Sequence, residues 1–378
     1  MNVMKQSGKI RVLQTIRQGK IGGGESHVLD LVTFLDKERF EPIVLAFTDG
    51  PMMQSLERLG IEGHVIETEK PFDLRVWRRV KAFMKEKQID VVHVHGTRAN
   101  TNVLWAARSL NLPVLYTIHG WSFHDGLSGF TRKARIAVEK YITRKTQLNI
   151  SVSEANRNSG IREFGSFRSV VIKYGINLGK FNPEGSYENL RAYYNIPEDH
   201  LLLGYIVRMT YQKDPVSMVK AFAAVARQLP KVTLLMIGDG ELKGEVTQLI
   251  KELGIENRVV MDGFRQDVPA VLNAIDIYCL PSLWEGLPIG VLEAMAMGKT
   301  VVASDVDGTR EAVEHFVSGC LVPPHQPETF ADTLLKVAAE PELRRTMQQN
   351  AIATIRKVHD VESMTRRIEQ VYEEYQNS

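Results

Sequence analysis

Apolar residues fall into two alternating regimes along this chain: short continuous runs, and longer stretches in which apolar positions return every three or four residues. The runs 10–16, 41–47, 63–67, 90–95, 113–118 and 147–153 read as strands, and helical spacing fills the intervals, as in 25–35 after the first run. The pattern restarts with 201–207 and 232–237 and continues through 258–261, 274–280 and 300–303. Such alternation predicts an α/β fold of two doubly wound, Rossmann-like domains. Between the two series, 175–186 carries glycine, asparagine and Pro183, so the boundary is set there, giving domains 1–183 and 184–360. The tail 341–378 is helical by pattern, with Met364, Ile368, Val371 and Tyr372 on one stripe and 361–378 as the final helix.

Length and composition agree with this division. At 378 residues two cores are the default, and 44% hydrophobic with 24% charged residues is ordinary for a globular protein. Cys279 and Cys320 sit in separate strand-like runs, which fits packing residues in a reducing compartment better than a disulfide framework. The first nine residues hold no apolar leader core, and no apolar run is long enough to span a bilayer, so a cytoplasmic protein is expected. The net charge of +2 hides an asymmetry: residues 1–180 hold 28 Lys and Arg against 17 Asp and Glu, and the remainder holds 19 against 28. Basic residues concentrate in 70–87 and 132–145, which suits an anionic membrane surface, at the inner face of the cell membrane, or an anionic acceptor. Solvated helix faces account for either stretch equally well. The loop 120–130 adds Trp121, Phe123, His124 and Phe130, which either touch lipid or acceptor or tuck into the core. No aromatic-interleaved nucleic-acid module is present, so no nucleic-acid partner is expected.

Candidate chemistry gathers after strand ends, where ligands bind in doubly wound sheets. Gly22-Gly23-Gly24 follows the first strand and opens a helix, so backbone there can approach a phosphate, although turns also use glycine for conformation alone. His95, His119 and Ser153-Glu154 follow other strands. His93 and His95 are read as pointing to opposite faces, a poor metal pair. In the second half Arg208 and Lys213 follow a strand and suit a diphosphate leaving group. Gly238-Asp239-Gly240 permits close backbone approach, and Gly263-Phe264 offers a place for a flat ring. The stretch 281–298 joins a strand to a helix closed by Gly298, with Glu285 in its loop and Glu293 in the helix. Carboxylates flanking a helix start suit a polyol attached to phosphate. Asp305-Val306-Asp307 follows a strand and is not read as a metal site.

Taken in order, Gly22-Gly23-Gly24, Arg208, Lys213, Gly238-Asp239-Gly240, Gly263-Phe264 and Glu285-x7-Glu293 resemble the family 4 glycosyltransferases of the GT-B superfamily, over essentially the whole chain. The resemblance implies two Rossmann-like domains facing a central cleft, with the final helix crossing back to the N-terminal domain. It implies retaining transfer of a hexose or N-acetylhexosamine from a nucleotide diphosphate sugar, UDP-sugar preferred, to a saccharide or lipid-linked saccharide acceptor of bacterial surface polysaccharide or glycolipid biosynthesis. The donor is a co-substrate; no cofactor or essential metal is implied. Arg208 and Lys213 would neutralise the diphosphate, and Glu293 would bind the ribose. Glu285, with the backbone of Gly286, Leu287, Pro288 and Ile289, would hold the sugar. Gly23, Gly24, Gly238, Gly240 and Phe264 would line the rest of the donor site, and His119 would sit beside the sugar near the acceptor. Leu287-Pro288-Ile289 departs from the family's usual residues, which leaves the donor sugar open. A nucleotide-sugar 2-epimerase of the same fold and a non-catalytic sugar-nucleotide binder remain as alternatives; a dehydrogenase does not fit the glycine spacing.

Overall fold

The computed structural model describes residues 8–19, 22–124 and 126–376. Residues 1–7, part of the stretch read as lacking a leader, lie outside the described residues.

Two parallel sheets are present among the described residues. The first contains β1 (Ile10–Ile16), β2 (Phe40–Ala46), β3 (Glu62–Val65), β4 (Val91–His95), β5 (Val114–Ile118), β6 (Leu148–Ser151) and β7 (Ser169–Val171), in the order β3-β2-β1-β4-β5-β6-β7. The second contains β8 (Leu201–Ile206), β9 (Val232–Ile237), β10 (Val259–Asp262), β11 (Ile277–Leu280), β12 (Thr300–Ser304) and β13 (Cys320–Val322), in the order β10-β9-β8-β11-β12-β13. Both sheets start at an inner strand, wind outward one way, then return and wind the other way. The reversal falls between β1 and β4 and between β8 and β11, and there the connections leaving the strand carboxyl ends diverge and open a crevice.

Helices cover both faces of each sheet, which is why strands such as β4, β5, β9 and β12 are buried along their whole length instead of alternating. On one face of the first sheet Leu13, Val92, Val94 and Tyr116 pack beneath Val103, Ala106 and Ala107 of the helix Thr97–Arg108. On the other face Val12, Val91 and Leu115 pack with Leu31 of the helix Gly23–Phe34 and with Met364, Ile368, Val371 and Tyr372 of the helix Val361–Tyr375. The apolar stripe of the tail thus belongs to the core of the first sheet. One core of the second sheet joins Leu203, Tyr205, Leu234, Met236 and Cys279 to Phe222, Phe330 and Met347.

The chain divides into a first unit, the described residues up to Gly175 with those from Val361 onward, and a second, Ile176–Asp360. The division precedes Pro183 because Ile176 already belongs to the second unit: its N–H donates to the His359 carbonyl at 2.7 Å, and it bridges Asp360. The same bridge interrupts the tail, which forms two helices, Pro341–Val358 and Val361–Tyr375.

Candidate active site

In the second unit the site is built on the ends of β8 and β11. Past β8 the chain makes a short 3-10 turn, Tyr211–Lys213, then Asp214 takes a left-handed conformation (φ 47°) and caps the helix Pro215–Gln228 by accepting from Ser217 N–H at 3.1 Å. Past β11 runs the loop 281–288. Gln212 ties the two together: its carbonyl accepts from Leu283 N–H at 2.8 Å, and its Nε2 donates to the Trp284 carbonyl at 2.8 Å. The Tyr205 hydroxyl donates to the Lys213 carbonyl at 3.1 Å and fixes the turn from below. Lys213 Nζ therefore meets Glu285 Oε1 at 2.5 Å, with side chains only 16% and 6% exposed. The two residues, assigned from the sequence to diphosphate and to sugar, hold each other. Arg208, between β8 and this turn, is exposed, and its side chain has no hydrogen-bond or ion-pair partner among the described residues.

The glycines after β9 serve the protein backbone. Gly238 has φ 136°, and a Cβ on it would lie 2.3 Å from the Val207 carbonyl; one on Gly240 would lie 2.2 Å from the Met209 carbonyl. Met209 N–H donates to the Asp239 carbonyl and Leu242 N–H to the Met209 carbonyl, both at 3.0 Å, so this turn is woven onto the segment that carries Arg208. Asp239 extends the link: it takes Lys243 at 2.6 Å and accepts from Phe264 N–H at 3.1 Å, leaving the Phe264 ring 47% exposed beyond β10.

The helix Ile289–Ala296 ends in a Schellman turn, with Gly298 N–H to Met295 O at 3.0 Å and Lys299 N–H to Ala294 O at 2.9 Å, around a Gly298 φ of 64°. At its start Leu287, Pro288 and Ile289 are buried, so these three side chains pack inward while Gly286 and Gly290 are half-buried. Tyr278, from β11, lies under the first turn; a Cβ on Gly290 would be 2.4 Å from its hydroxyl. Burial, then the charges of Glu293 and Glu285, push this phenol well above its ordinary pKa, which places its hydroxyl in the field of both carboxylates. The hydroxyls of Tyr278, Ser282 and Thr309 are buried and have no hydrogen-bond partner among the described residues. Gly308 presses on the same loop, where a Cβ would be 2.2 Å from the Gly286 carbonyl. Asp305 and Asp307 both face Arg310, at 2.5 and 3.8 Å.

In the first unit, Gly23 and Gly24 form the first turn of the helix Gly23–Phe34, and Gly24 lies against His119, past the end of β5. Both ring nitrogens of His119 are engaged: Nδ1 with the Tyr174 hydroxyl at 2.5 Å and Nε2 with His95 Nδ1 at 3.0 Å. His93 and His95 do not point to opposite faces. Residues two apart on a strand share a face, and the two rings lie 4.3 Å apart. With His27 they form a buried group in which burial is the first cause lowering every pKa, to about 4 for His27 and about 3 for His93, and well below the ordinary value for His95 and His119. Among the described residues no group of three or more His, Cys, Asp or Glu side chains is arranged to hold a metal ion. Ser153 caps the helix Glu154–Phe164 through Asn156 N–H, and Glu154 pairs with Arg157 at 3.0 Å.

The aromatic loop divides. Trp121 stacks on Phe123 and donates to the Asn156 carbonyl at 2.7 Å, in space left by Gly160, where a Cβ would lie 2.3 Å from the indole. Buried Glu139 accepts from Thr97 at 2.6 Å and Ser122 N–H at 3.1 Å and anchors the loop's start. Phe130, in contrast, is 86% exposed at the start of the basic helix Gly129–Lys145, which also exposes Tyr141. No helix among the described residues is long and apolar enough to cross a membrane.

Two of these positions carry a signal in the sequence: Gln14 is a polar residue inside the apolar run of β1, and Gly290 is a glycine inside a helix. Gln212 carries none.

Comparison with known proteins matches residues 21–180 to the family model "Glycosyltransferase Family 4" and 186–354 to "Glycosyl transferases group 1". The chain is 30% identical to a D-inositol 3-phosphate glycosyltransferase of Saccharomonospora viridis, over 72% of this chain and 67% of that one. It is 23% identical to the Escherichia coli UDP-Gal:alpha-D-GlcNAc-diphosphoundecaprenol alpha-1,3-galactosyltransferase, over 87% and 88%. Among solved structures, Anabaena Alr3699/HepE in complex with UDP-glucose matches with a TM-score of 0.87 and 25% identity, over 97% of this chain and 100% of that one. WaaG, a glycosyltransferase involved in lipopolysaccharide biosynthesis, matches in fold with a TM-score of 0.76 and 16% identity, over 95% and 99%. Family models across both units, together with sheets of this order, make the chain a glycosyltransferase of family 4 with the GT-B fold.

Proposed function

We propose that the protein transfers a hexose or N-acetylhexosamine from a UDP-sugar, with retention of configuration, to a saccharide or lipid-linked saccharide acceptor in bacterial surface polysaccharide or glycolipid biosynthesis. The observation that carries this is the Lys213–Glu285 pair at the β8/β11 switch point, with exposed Arg208 on the same connection after β8. A diphosphate arriving there takes Lys213 and Arg208, and Glu285, released from Lys213, turns its oxygens to sugar hydroxyls. Glu293 takes the ribose, and Phe264 offers its exposed ring near the base. In the first unit Gly23 and Gly24 offer backbone to a phosphate, and His119 serves the transferred sugar.

In the transfer step the bond between the anomeric carbon and the diphosphate oxygen breaks, and an acceptor hydroxyl oxygen bonds to that carbon on the same face. The hydroxyl proton goes to the departing phosphate oxygen, so no side-chain base is needed. Charge grows on the diphosphate as it leaves, and Lys213 and Arg208 stabilise it in the way a metal ion does elsewhere. Support for UDP and a lipid-linked acceptor comes from relatives whose names and bound ligands carry them. Exposed Phe130 and Tyr141 on a basic helix support contact with an anionic membrane from the cytoplasmic side.

A thermal-shift screen of nucleotide sugars tests the donor. A donor at about 100 times its dissociation constant adds ~2.7 kcal/mol of stability, and proton NMR of the product formed on a polyprenyl-linked sugar reads the anomer. An inverted product, or stabilisation only by a non-uridine donor, overturns the corresponding part of the reading.

A further inference from the structure

An unbroken series of hydrogen bonds crosses the interior of the first unit. From the Tyr174 hydroxyl it passes through both nitrogens of His119 to His95, and His95 Nε2 meets Gln14 Oε1 at 2.8 Å. Gln14 Nε2 donates to the Tyr372 hydroxyl at 2.7 Å; that hydroxyl meets His93 Nδ1 at 2.7 Å, and His93 Nε2 meets Thr117 Oγ1 at 2.7 Å. Gln14, His93, Thr117 and Tyr372 are fully or almost fully buried. The series joins β1, β4 and β5 to the helix Val361–Tyr375.

Every member except Gln14 has an atom that either donates or accepts. Gln14 has two fixed ends, a carbonyl that only accepts and an amide that only donates. Its carbonyl faces His95, so His95 carries its proton on Nε2. A neutral His95 then leaves Nδ1 bare, and His119 Nε2 must donate to it. A neutral His119 in turn leaves Nδ1 to accept the Tyr174 proton. Turning the Gln14 amide over would reverse every one of these bonds.

We propose that Gln14 is a positioning residue that, acting through His95, holds His119 as the neutral tautomer protonated on Nε2. Burial supports the neutral state. The rings facing the pair are His27 from the helix Gly23–Phe34, His93 from β4 and Tyr174, with Glu369 beside Tyr372. The consequence, which rests on His119 serving the transferred sugar, is directional. A sugar oxygen reaching His119 competes with His95 Nδ1 for the Nε2 hydrogen, so His119 donates to the sugar and does not accept from it.

Nitrogen-15 NMR of the histidine-labelled full chain distinguishes the tautomers, with His119 assigned from its loss in His119→Asn. At neutral pH wild-type His95 and His119 are expected as single neutral Nε2–H forms. Gln14→Met, close in size, is expected to abolish that preference and to lower kcat about tenfold or more while affinity for UDP stays within about twofold. Gln14→Glu keeps an oxygen facing His95 and is expected to restore the tautomer and most of the rate. An Nδ1–H or doubly protonated His119 in the wild type overturns the proposal, as does a Gln14→Met protein with unchanged tautomer and kcat. Should Gln14→Met not fold, the wild-type spectrum decides. A wild-type protein that turns over no nucleotide sugar would overturn the transfer reading instead, and the spectrum would still judge Gln14.

Discussion

Lys213 and Glu285 stand 72 positions apart, and each could be picked out by its place after a strand, but their pairing could not be read from the sequence. It depends on Gln212 tying two loops together. Because both side chains are largely withdrawn from water, removing one leaves the other charge poorly compensated. Lys213→Ala should therefore lower kcat by about 10²–10³, the effect of losing one preorganised charge at a leaving group, while chelation with EDTA should leave the wild-type rate unchanged. Steady-state kinetics with the identified donor check both, and near-normal turnover in Lys213→Ala would remove it from the leaving-group role. Gly24 separates two meanings of a glycine. A methyl group there would meet the His119 ring at 3.5 Å, an ordinary contact. Gly24→Ala should thus raise stability by about 0.5–1 kcal/mol, as Ala replaces Gly in a helix, and yet weaken donor binding if the diphosphate needs that space. A mutant that is both more stable and fully active would return the loop to a purely conformational role. Gly238 and Gly240 give the opposite lesson: their carbonyl neighbours within 2.3 Å explain them with no ligand at all.

At the scale of the element, β1 and β9 coincide with the apolar runs 10–16 and 232–237, because continuous burial on both faces leaves a clear hydrophobic signature. Boundaries shift where tertiary contacts decide them. The run 274–280 begins as strand only at Ile277, since Ala274 closes the helix Val268–Ala274. The face of a strand is a matter of parity alone, and His93 and His95 could have been placed on one side by that rule. Trp121 and Phe123 could not have been placed, because the space they enter is made by Gly160 on a helix three dozen residues on. Gly290 and Tyr278 form a similar pair in the second unit. Gly290→Ala drives a methyl into the Tyr278 hydroxyl and should cost about 1–3 kcal/mol, as overpacking does. Tyr278→Phe removes a buried hydroxyl that has no partner among the described residues, and should be neutral or mildly stabilising. Combined, the two changes should recover most of the loss, a coupling that denaturant unfolding of the four proteins measures directly. Additive effects would show that the helix start yields to the methyl by some other movement.

For the whole molecule the most consequential asymmetry is where the histidines of lowered pKa lie. His27, His93, His95 and His119 all belong to the first unit, under the helix Gly23–Phe34 and beside Tyr372 from the tail. Their folded pKa values are depressed, so between those values and about 6.5 the unfolded chain binds protons that the native unit refuses. Stability from this source is complete above pH 6.5 and is lost as pH falls, by up to ~1.4 kcal/mol per pH unit for each histidine. Glu139 works the other way: burial raises its pKa, so the native state takes its proton first and gains as pH falls, one group against four. The depressed carboxylates Asp239, Asp262 and Asp267 enter only below the ordinary carboxylate range and leave the window from 6.5 to about 5 to the histidines. Two units with separate cores need not melt together. Scanning calorimetry from pH 7 to 5 should show the first unit's transition moving to lower temperature ahead of the second's. His27→Met, which removes a buried ring with no hydrogen-bond partner among the described residues, should flatten that dependence by about a quarter, one titrating group in four. A first-unit transition that stays fixed across this range would mean that the histidines are hydrated or already charged in the folded protein, and the neutral relay through Gln14 would fall with it.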